Sequence, residues 1–276
     1  MTQAPGPTGR DGRTPARHTP GAPCWVSLMV HDMTATQAFY GELFGWEFEP
    51  GPPQLGPYVR ALLGGRHVAG IGRLPADRQL PVAWTPYLVS DDVDLTAETV
   101  RLCGGTVGVG PLDAGAAGRL ALGCDPSGAV FGVWQVPAER GTNAGGVPGT
   151  PVWNELRTFE TANVAKFYGT LFGYEERRAE SESGGTGADG EAVDQVTLCL
   201  DGRPVAGILG VGPALRHDGG SHWTTYFAVD DVDAALERVI GLGGRVLAPA
   251  RETAHGRAAT VADPEGARFA LVRSGR

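Results

Sequence analysis

An internal repeat covers most of the chain. The segment from Trp25 to Trp46 recurs from Trp153 to Tyr174, 128 positions later, and each copy ends in Phe-Tyr-Gly-x-Leu-Phe-Gly followed by an aromatic residue. Each copy of such a repeat forms the same supersecondary unit and buries the same kind of face. The repeat therefore predicts two domains of one architecture within the 276 residues.

Further matches follow in the same order along both copies. They are Val-Ala-Gly-Ile at 68 and 205, Asp-Asp-Val-Asp at 91 and 230, Gly-Gly at 104 and 243, and Asp-Pro at 125 and 263. The larger offset from Val205 onward indicates an insertion in the second copy, and the acidic, Gly/Ser-rich segment Glu175–Asp194 can hold it. This composition predicts a surface loop.

The composition restricts the kinds of partner. A formal net charge of −8 gives no support to binding of nucleic acid or of an anionic membrane, both of which favour a basic surface. We find no apolar run of membrane-spanning length and no signal-peptide core, so we expect a cytoplasmic protein with a disordered tail over residues 1–21. The four cysteines lack metal-ligand spacing and are predicted to be free thiols.

Each copy begins with a strand and a helix. Cys24–Val30 has strand composition, and Met33–Phe44 has apolar residues near helical spacing and stops at Gly45. Short strands are predicted at Tyr58–Leu63 and Val68–Leu74. The first copy therefore starts with a strand, helix, strand, strand unit.

A fainter version of this unit follows within each half. It starts with a strand at Trp84–Val89 in the first half and at Trp223–Val229 in the second. Asp92 and Asp231 are predicted to cap the helices that come next. The chain therefore contains four related modules in two pairs.

These ordered motifs resemble the vicinal oxygen chelate superfamily, which includes glyoxalases, bleomycin-resistance proteins and extradiol dioxygenases. The resemblance extends from Ala22 to Arg273 and is strongest to two-domain actinobacterial members of glyoxalase or hydroxylase type, some linked to aromatic polyketide pathways. It implies an α+β fold, in which four βαβββ modules pair into two tandem domains with curled mixed sheets around cavities. The implied boundaries are a first domain at 22–138, a linker at 139–149 and a second domain at 150–274.

The resemblance also assigns positions for metal ligands, because many members hold a divalent ion with His, Glu or Gln. These positions fall on residues that are not such ligands, namely Trp25, Trp153, Thr85, Thr224, Gly132 and Ala270. The remaining position, in the Val-Ala-Gly-Ile strands, has no carboxylate nearby. We therefore expect no metal site and no other cofactor.

Strand alternation in the same frame directs aromatic rings and hydroxyl groups toward the two cavities. The predicted ligand-binding residues are Trp25, Ser27, Met29, Thr85 and Tyr87 in the first domain, and Trp153, Thr224, Tyr226 and the loop residue His255 in the second. Such a lining is typical of a pocket for a flat, oxygenated ligand. The alternative is that the rings only fill the interior.

Tyr40 and Tyr168 lie on the helices and are predicted as core residues. Asp125 and Asp263 are predicted as turn formers.

Three polar residues of the second domain are candidates for catalysis. Glu155 and Arg157 face the second cavity, whereas the first copy has Ser27 and Met29 at the matching positions. A buried Glu with a raised pKa is a possible general base, whereas the neighbouring Arg would lower that pKa and form an ion pair. His222, just before a strand, is the third candidate, and the divergence of the copies favours the second cavity as the working site.

Two functions fit these observations, and a metal-dependent enzyme is a third possibility if the ligand positions are framed wrongly. The first is a metal-independent tailoring enzyme of secondary metabolism, acting on a small aromatic or polyketide-type molecule by hydroxylation, ring opening or isomerisation. The second is a protein without catalysis that binds and sequesters such a molecule, as drug-resistance proteins do. Since the chain carries four modules in covalent linkage, both a monomer and a homodimer are compatible with the sequence.

Overall fold

The computed structural model describes residues 19–75, 81–137, 146–178, 194–211, 215 and 219–273. Most of the predicted tail, linker and insertion lies outside these ranges, at residues 1–18, 138–145 and 179–193. The described elements form four modules, each with one strand, one helix and three further strands. The α+β architecture of four βαβββ modules in two tandem domains is therefore confirmed.

The first domain contains the first two modules. The first consists of β1 (Pro23–Val30), α1 (Met33–Phe44), β2 (Glu47–Pro50), β3 (Tyr58–Leu63) and β4 (Arg66–Arg73). The second consists of β5 (Trp84–Val89), α2 (Val93–Leu102), β6 (Thr106–Asp113), β7 (Arg119–Cys124) and β8 (Val130–Gln135). Short 3-10 turns occur at Pro53–Leu55 and Gly115–Ala117.

The second domain repeats this order. Its first module consists of β9 (Pro151–Thr158), α3 (Thr161–Phe172), β10 (Glu175–Arg178), β11 (Gln195–Leu200) and β12 (Arg203–Gly210). Its second module consists of β13 (His222–Val229), α4 (Val232–Gly241), β14 (Arg245–Thr253), β15 (Gly256–Ala262) and β16 (Arg268–Arg273).

Each domain forms one eight-stranded mixed sheet that is not closed into a barrel. The strand orders are β2-β3-β4-β1-β5-β8-β7-β6 and β10-β11-β12-β9-β13-β16-β15-β14. The central antiparallel pair joins the two modules, with Trp25 opposite Tyr87 in the first sheet and Trp153 opposite Tyr226 in the second. The repeat thus places corresponding aromatic residues at the centre of both sheets.

Local sequence signals set the helix ends. The side chains of Asp32, Asp92 and Asp231 accept hydrogen bonds from backbone N–H groups of the first turns, which confirms the two predicted caps. Gly45 ends α1 in the left-handed conformation with φ of 73°, as predicted, and Gly173 ends α3 in the same way.

The two largest buried clusters span both domains. One cluster joins the helix-facing side of the first module to the fourth module, including α1, α4 and the side chains of Val26, Leu28, Val30, Phe227 and Phe269, and it also contains Trp84 of β5. The other joins the second module to the third, including α2, α3 and the side chains of Phe131, Leu156 and Trp223. The helices of each domain therefore pack against elements of the other domain.

A buried tyrosine on α1 links the two domains by hydrogen bonds. The Trp84 indole Nε1–H donates to the Tyr40 hydroxyl over 3.0 Å, and this hydroxyl donates to Asp263 Oδ2 over 3.1 Å. The second copy has the same arrangement with Trp223, Tyr168 and Asp125. The aspartates also accept backbone N–H groups of their own turns, so the predicted turn formers hold the domain interface as well.

The four cysteines are free thiols, in agreement with the sequence prediction. None of the described helices is both long and apolar enough to span a membrane. The cytoplasmic location, the domain boundaries and the oligomeric state stay predictions.

Candidate functional site

The first domain contains a cavity of about 480 Å³ on the face of its sheet that carries Trp25 and Tyr87. Four aromatic residues line it, from β1, β3, β5 and β8: Trp25, Tyr58, Tyr87 and Trp134. The rings of Trp25 and Trp134 meet edge to face with centroids 5.8 Å apart. Such a volume and lining are typical of pockets for small organic ligands.

Two tyrosine rings of this cavity lie directly over glycines. A Cβ atom on Gly70 would be 1.6 Å from the Tyr58 hydroxyl, and one on Gly132 would be 2.2 Å from the Tyr87 ring. Only glycine leaves room for these rings at the sheet surface. The absence of a side chain at Gly70 in β4 and at Gly132 in β8 therefore makes room for the aromatic lining.

Hydrogen bonds hold the same tyrosines in place. The Trp25 indole donates to the Tyr58 hydroxyl over 2.9 Å, and the Ser27 hydroxyl bonds to the Tyr87 hydroxyl over 3.0 Å. Burial raises the pKa of both tyrosines above the ordinary value, so they act as neutral hydrogen-bonding groups. The lining is therefore polar at fixed points without being acidic.

Three cationic or titratable side chains share this cavity, namely Arg60, His67 and Arg73. Glu49 lies outside the lining, 3.0 Å from Arg60 Nη2 and 2.8 Å from His67 Nε2. The bond from His67, followed by the charge of Arg60, lowers the pKa of Glu49. Arg60 Nε is buried and has no hydrogen-bond partner among the described residues.

The second domain holds a buried carboxyl at the corresponding place. Glu155 is 5% exposed, and the Tyr226 hydroxyl donates to its Oε1 over 3.1 Å. Burial raises the pKa of Glu155, while the charge of Arg157, the Tyr226 hydrogen bond and the charge of Arg251 oppose this shift. Burial and the Glu155 carboxyl also raise the pKa of Tyr226, which keeps the phenol protonated.

Two ring nitrogens in this cluster lack partners. The His255 ring lies 4.7 Å from the Trp153 ring and 5.8 Å from the Tyr226 ring, measured between centroids. Trp153 Nε1 and His255 Nε2 are both buried without a hydrogen bond within the described ranges. Burial lowers the pKa of His255, so the ring is neutral near pH 7. Buried polar atoms without partners are rare, and a bound ligand or water is one explanation.

The predicted site residues separate into the first-domain cavity and the Glu155 cluster of the second domain. The first cavity is lined by three of them, Trp25, Met29 and Tyr87. Ser27 and Thr85 are not part of this lining, although Ser27 holds Tyr87 by a hydrogen bond. In the second domain Trp153, Glu155, Tyr226 and His255 come together.

Three other predicted residues lie beside Glu155 in the sheet. Thr224 is opposite Glu155 in register, and Arg157 is opposite His222 at the start of β13. The His222 Nδ1 atom lies 2.8 Å from the Gly220 carbonyl oxygen. Thr224 is buried, and Arg157 is half-buried.

The sequence reasoning missed several residues of the first cavity, including Arg73 at the end of β4. Tyr58 and Arg60 lie on the same face of β3, and the pairing that sets Arg60 opposite Gly70 is a property of the folded sheet. Trp134 lies two residues after Gly132 and therefore has the same strand parity. His67 adjoins the Val68–Ile71 strand, but its position gave no clue to its role.

The donors do not fit a divalent metal site of the kind that the resemblance implies. Within the described parts of the chain, no three His, Cys, Asp or Glu side chains are grouped to hold a metal ion. In the first domain, Tyr58 and Tyr87 occupy the space in front of Gly70 and Gly132, where ligands from β4 and β8 would project.

A second cavity of about 380 Å³ lies between the domains. The N-terminal ends of β1 and β9 and the starts of β4 and β12 line it, and both Trp25 and Trp153 are part of its wall. Each tryptophan therefore contacts both the site of its own domain and the cavity between the domains.

Family models match both halves of the chain. The model described as a glyoxalase-like domain matches residues 155–272, and the model described as bleomycin resistance protein-like N-terminal matches residues 24–59. The two matches cover Glu155 and Trp25 respectively.

Relatives of similar length extend over both domains. The anthracycline biosynthesis protein DnrV of Streptomyces peucetius is 35% identical over 272 residues, which cover 93% of this chain and 94% of the relative. CFP32 of Mycobacterium bovis, named only provisionally as a glyoxylase, is 35% identical over 259 residues, covering 92% of this chain and 95% of the relative.

Solved structures share the fold across both domains. The Mn(II)-bound glyoxalase from Novosphingobium aromaticivorans has a TM-score of 0.59 at 19% identity, covering 93% of this chain and 85% of that chain. The 2,3-dioxygenase LapB from Pseudomonas sp. KL28 has a TM-score of 0.60 at 14% identity, covering 94% of each chain. At these identities the similarity concerns the fold alone.

Proposed function

Because the chain belongs to the vicinal oxygen chelate superfamily, we propose that it is a metal-independent tailoring enzyme that acts on a small aromatic or polyketide-type molecule in secondary metabolism. The observation that carries this proposal is the buried Glu155 carboxyl, bonded to Tyr226 beside two ring nitrogens without partners. A carboxyl with a raised pKa next to unfilled hydrogen-bonding groups is typical of a site for proton transfer.

Proton transfer gives a role to Glu155 and to the residues around it. The Glu155 carboxylate removes a proton from one atom of the ligand and returns it to another, so that an isomerisation needs no further reactant. The Tyr226 hydroxyl orients the carboxylate, and the Trp153 indole N–H donates to a ligand oxygen. Hydroxylation and ring opening would both require a further reactant, and we therefore favour isomerisation.

The relatives support the assignment to secondary metabolism. DnrV and its counterpart DauV of Streptomyces sp. strain C5 are both described as anthracycline biosynthesis proteins. Anthracyclines are flat, polycyclic aromatic molecules. The first-domain cavity, which is lined by four aromatic rings, suits a ligand of that shape.

One observation favours the alternative of binding without catalysis. The described lining of the first cavity contains no Asp or Glu, and its tyrosines stay protonated. Within the described residues, this cavity therefore has the surface needed to hold a flat molecule but no carboxylate to act as a base. A protein that used only this cavity would sequester its ligand.

The deciding experiment measures proton exchange. The protein is incubated in D₂O with 2-tetralone and related enolisable aromatic ketones, and exchange of the α-protons is followed by NMR. The wild type should accelerate exchange, and Glu155→Gln should reduce the acceleration about 100-fold or more. Glu160→Gln, at an exposed carboxylate of the same domain, serves as the matched control and should leave the rate unchanged.

The two functions predict different results. Binding of the ketones without exchange would favour sequestration. Exchange that is equally fast in wild type and Glu155→Gln would refute the role of Glu155.

A further inference from the structure

We propose that the first-domain cavity selects aromatic molecules that carry a negative charge, such as a carboxylate. This inference rests on the proposed function, because it takes the cavity to be a site for a flat ligand. It adds the chemical class of that ligand, which the aromatic lining alone does not determine.

The charged side chains among the described lining residues are Arg60 and Arg73, and both are cationic. His67 also lines the cavity, and no carboxylate is part of its described lining, although the whole chain has a formal net charge of −8. Glu49 offsets part of the Arg60 charge from outside the lining, but two guanidinium groups at one cavity still concentrate positive potential there. An anionic aromatic ligand gains more from this potential than a neutral one.

Arg60 keeps free hydrogen-bonding capacity in the cavity wall. Its Nη2 is engaged by Glu49 at 3.0 Å and by the Pro50 carbonyl oxygen at 3.4 Å, whereas its buried Nε has no partner within the described part of the chain. A guanidinium group has its donors in a fixed fork that matches a carboxylate.

Arg73 supplies a second positive charge. It lies at the end of β4, where the side chain is exposed and takes part in no ion pair among the described residues. A ligand carboxylate in the cavity can therefore bind one guanidinium group whose charge is not already neutralised.

The second copy of the repeat acts as an internal comparison. Alignment of the Val-Ala-Gly-Ile strands and the sheet register place Thr197, Pro204 and Gly210 at the positions of Arg60, His67 and Arg73. The scaffold thus requires neither an arginine nor a histidine at these three positions. Their presence in the domain with the aromatic cavity indicates selection for a ligand.

The test compares two probes of one shape, anthraquinone-2-carboxylate and its neutral methyl ester. Binding is measured by calorimetry and by quenching of tryptophan fluorescence. We expect the wild type to bind the carboxylate at least tenfold more tightly than the ester. The preference should decrease as salt rises, because part of it arises from exposed charge.

Variants locate the preference. Arg60→Gln and Arg73→Gln should each reduce it to threefold or less while the affinity for the ester stays within twofold. Glu49→Gln should strengthen carboxylate binding, since it removes the anion that competes for Arg60. Arg66→Gln, at an exposed residue of β4 that is not part of the lining, is the matched control and should change neither affinity.

The outcomes separate this inference from the proposed function. Equal binding of both probes, or a preference that survives both arginine variants, overturns the charge selectivity and leaves the cavity as a site for flat ligands. Absence of binding by both probes overturns the inference and the view of the first cavity as a site for flat ligands, whereas the proton exchange assigned to Glu155 in the second domain is tested separately by the exchange experiment. Since Arg73 is exposed, its variant tests the inference even where Arg60→Gln fails to fold.

Discussion

The Tyr40 hydroxyl provides a direct test of how the two domains hold together. Tyr40→Phe removes one oxygen atom from a fully buried ring that also contacts Phe39, Trp46 and Trp84. These ring contacts remain in the variant. Any loss of stability therefore reports on the two hydrogen bonds of the hydroxyl, one from Trp84 of the same domain and one to Asp263 of the other domain.

The magnitude follows from the groups left behind. Trp84 Nε1 loses its acceptor at 3.0 Å, and Asp263 Oδ2 loses a donor at 3.1 Å, both in the buried interface. A buried polar group without a partner costs about 1–3 kcal/mol. Asp263 keeps the bond from the Ala267 N–H to its other oxygen. We therefore expect a loss of about 2–4 kcal/mol in the free energy of unfolding.

Urea denaturation at pH 7, followed by tryptophan fluorescence and far-UV circular dichroism, gives the measurement. The midpoint should fall while the slope stays unchanged, since the denatured state is the same. Tyr168→Phe, the equivalent change in the other copy, should cost a similar amount and add to the first, because the two hydroxyls lie in separate clusters. Tyr87→Phe, which loses one bond at a cavity wall, should cost about 0.5–1.5 kcal/mol.

Two results would contradict this reasoning. A loss below about 0.5 kcal/mol for Tyr40→Phe would show that the hydroxyl has no net role in stability. Separate transitions detected by the two methods would show that the domains unfold independently, which is incompatible with clusters that span both.

Two further predictions concern the sites themselves. The folded-state pKa of Glu155 is raised above its ordinary value of 4.5, so the stability that its protonated form contributes is complete below pH 4.5 and is lost as the pH rises through the folded-state pKa. In thermal unfolding, Glu155→Gln should therefore have the same stability as wild type near pH 4 and become increasingly more stable than wild type as the pH rises above 4.5. A stability difference that stays constant with pH would argue against the raised pKa. Gly70→Ala places a Cβ 1.6 Å from the Tyr58 hydroxyl and should cost about 1–3 kcal/mol in the free energy of unfolding and weaken ligand binding. Gly207→Ala, where the nearest atom is Trp153 Nε1 at 3.3 Å, should cost less, and equal costs would refute the steric argument.

The sequence predicted the modules well because their signals are local. Asp92 and Gly45 act within one helical turn, and strand alternation placed Val26 and Leu28 on the helix-facing side. The packing of the modules was beyond such reasoning. A repeat shows which face each copy buries, but nothing in it states that Tyr40 bonds to a residue more than 200 positions away.

The candidate sites could be predicted only in part for the same reason. Trp25, Tyr87, Glu155 and Tyr226 lie on the central strands, whose facing follows from the resemblance and from alternation. The contributions of Tyr58 and Arg60 depend on the β3–β4 register, and the importance of Gly70 depends on a ring that covers it. Such contacts arise from pairing between strands and leave no periodic trace in one sequence.

The comparison of the two copies explains how one scaffold can hold two chemistries. The tyrosine on the central strand bonds to Ser27 in the first domain, at 3.0 Å, and to Glu155 in the second, at 3.1 Å. A serine hydroxyl and a glutamate carboxyl can each form a hydrogen bond with the tyrosine hydroxyl. Replacing one by the other therefore keeps this hydrogen bond and adds or removes an acidic group. Because the fold requires only that bond, the position was free to diverge after duplication. We therefore expect Glu155→Ser to retain the fold and lose proton exchange, and a variant that unfolds instead would show that the carboxyl has a structural role.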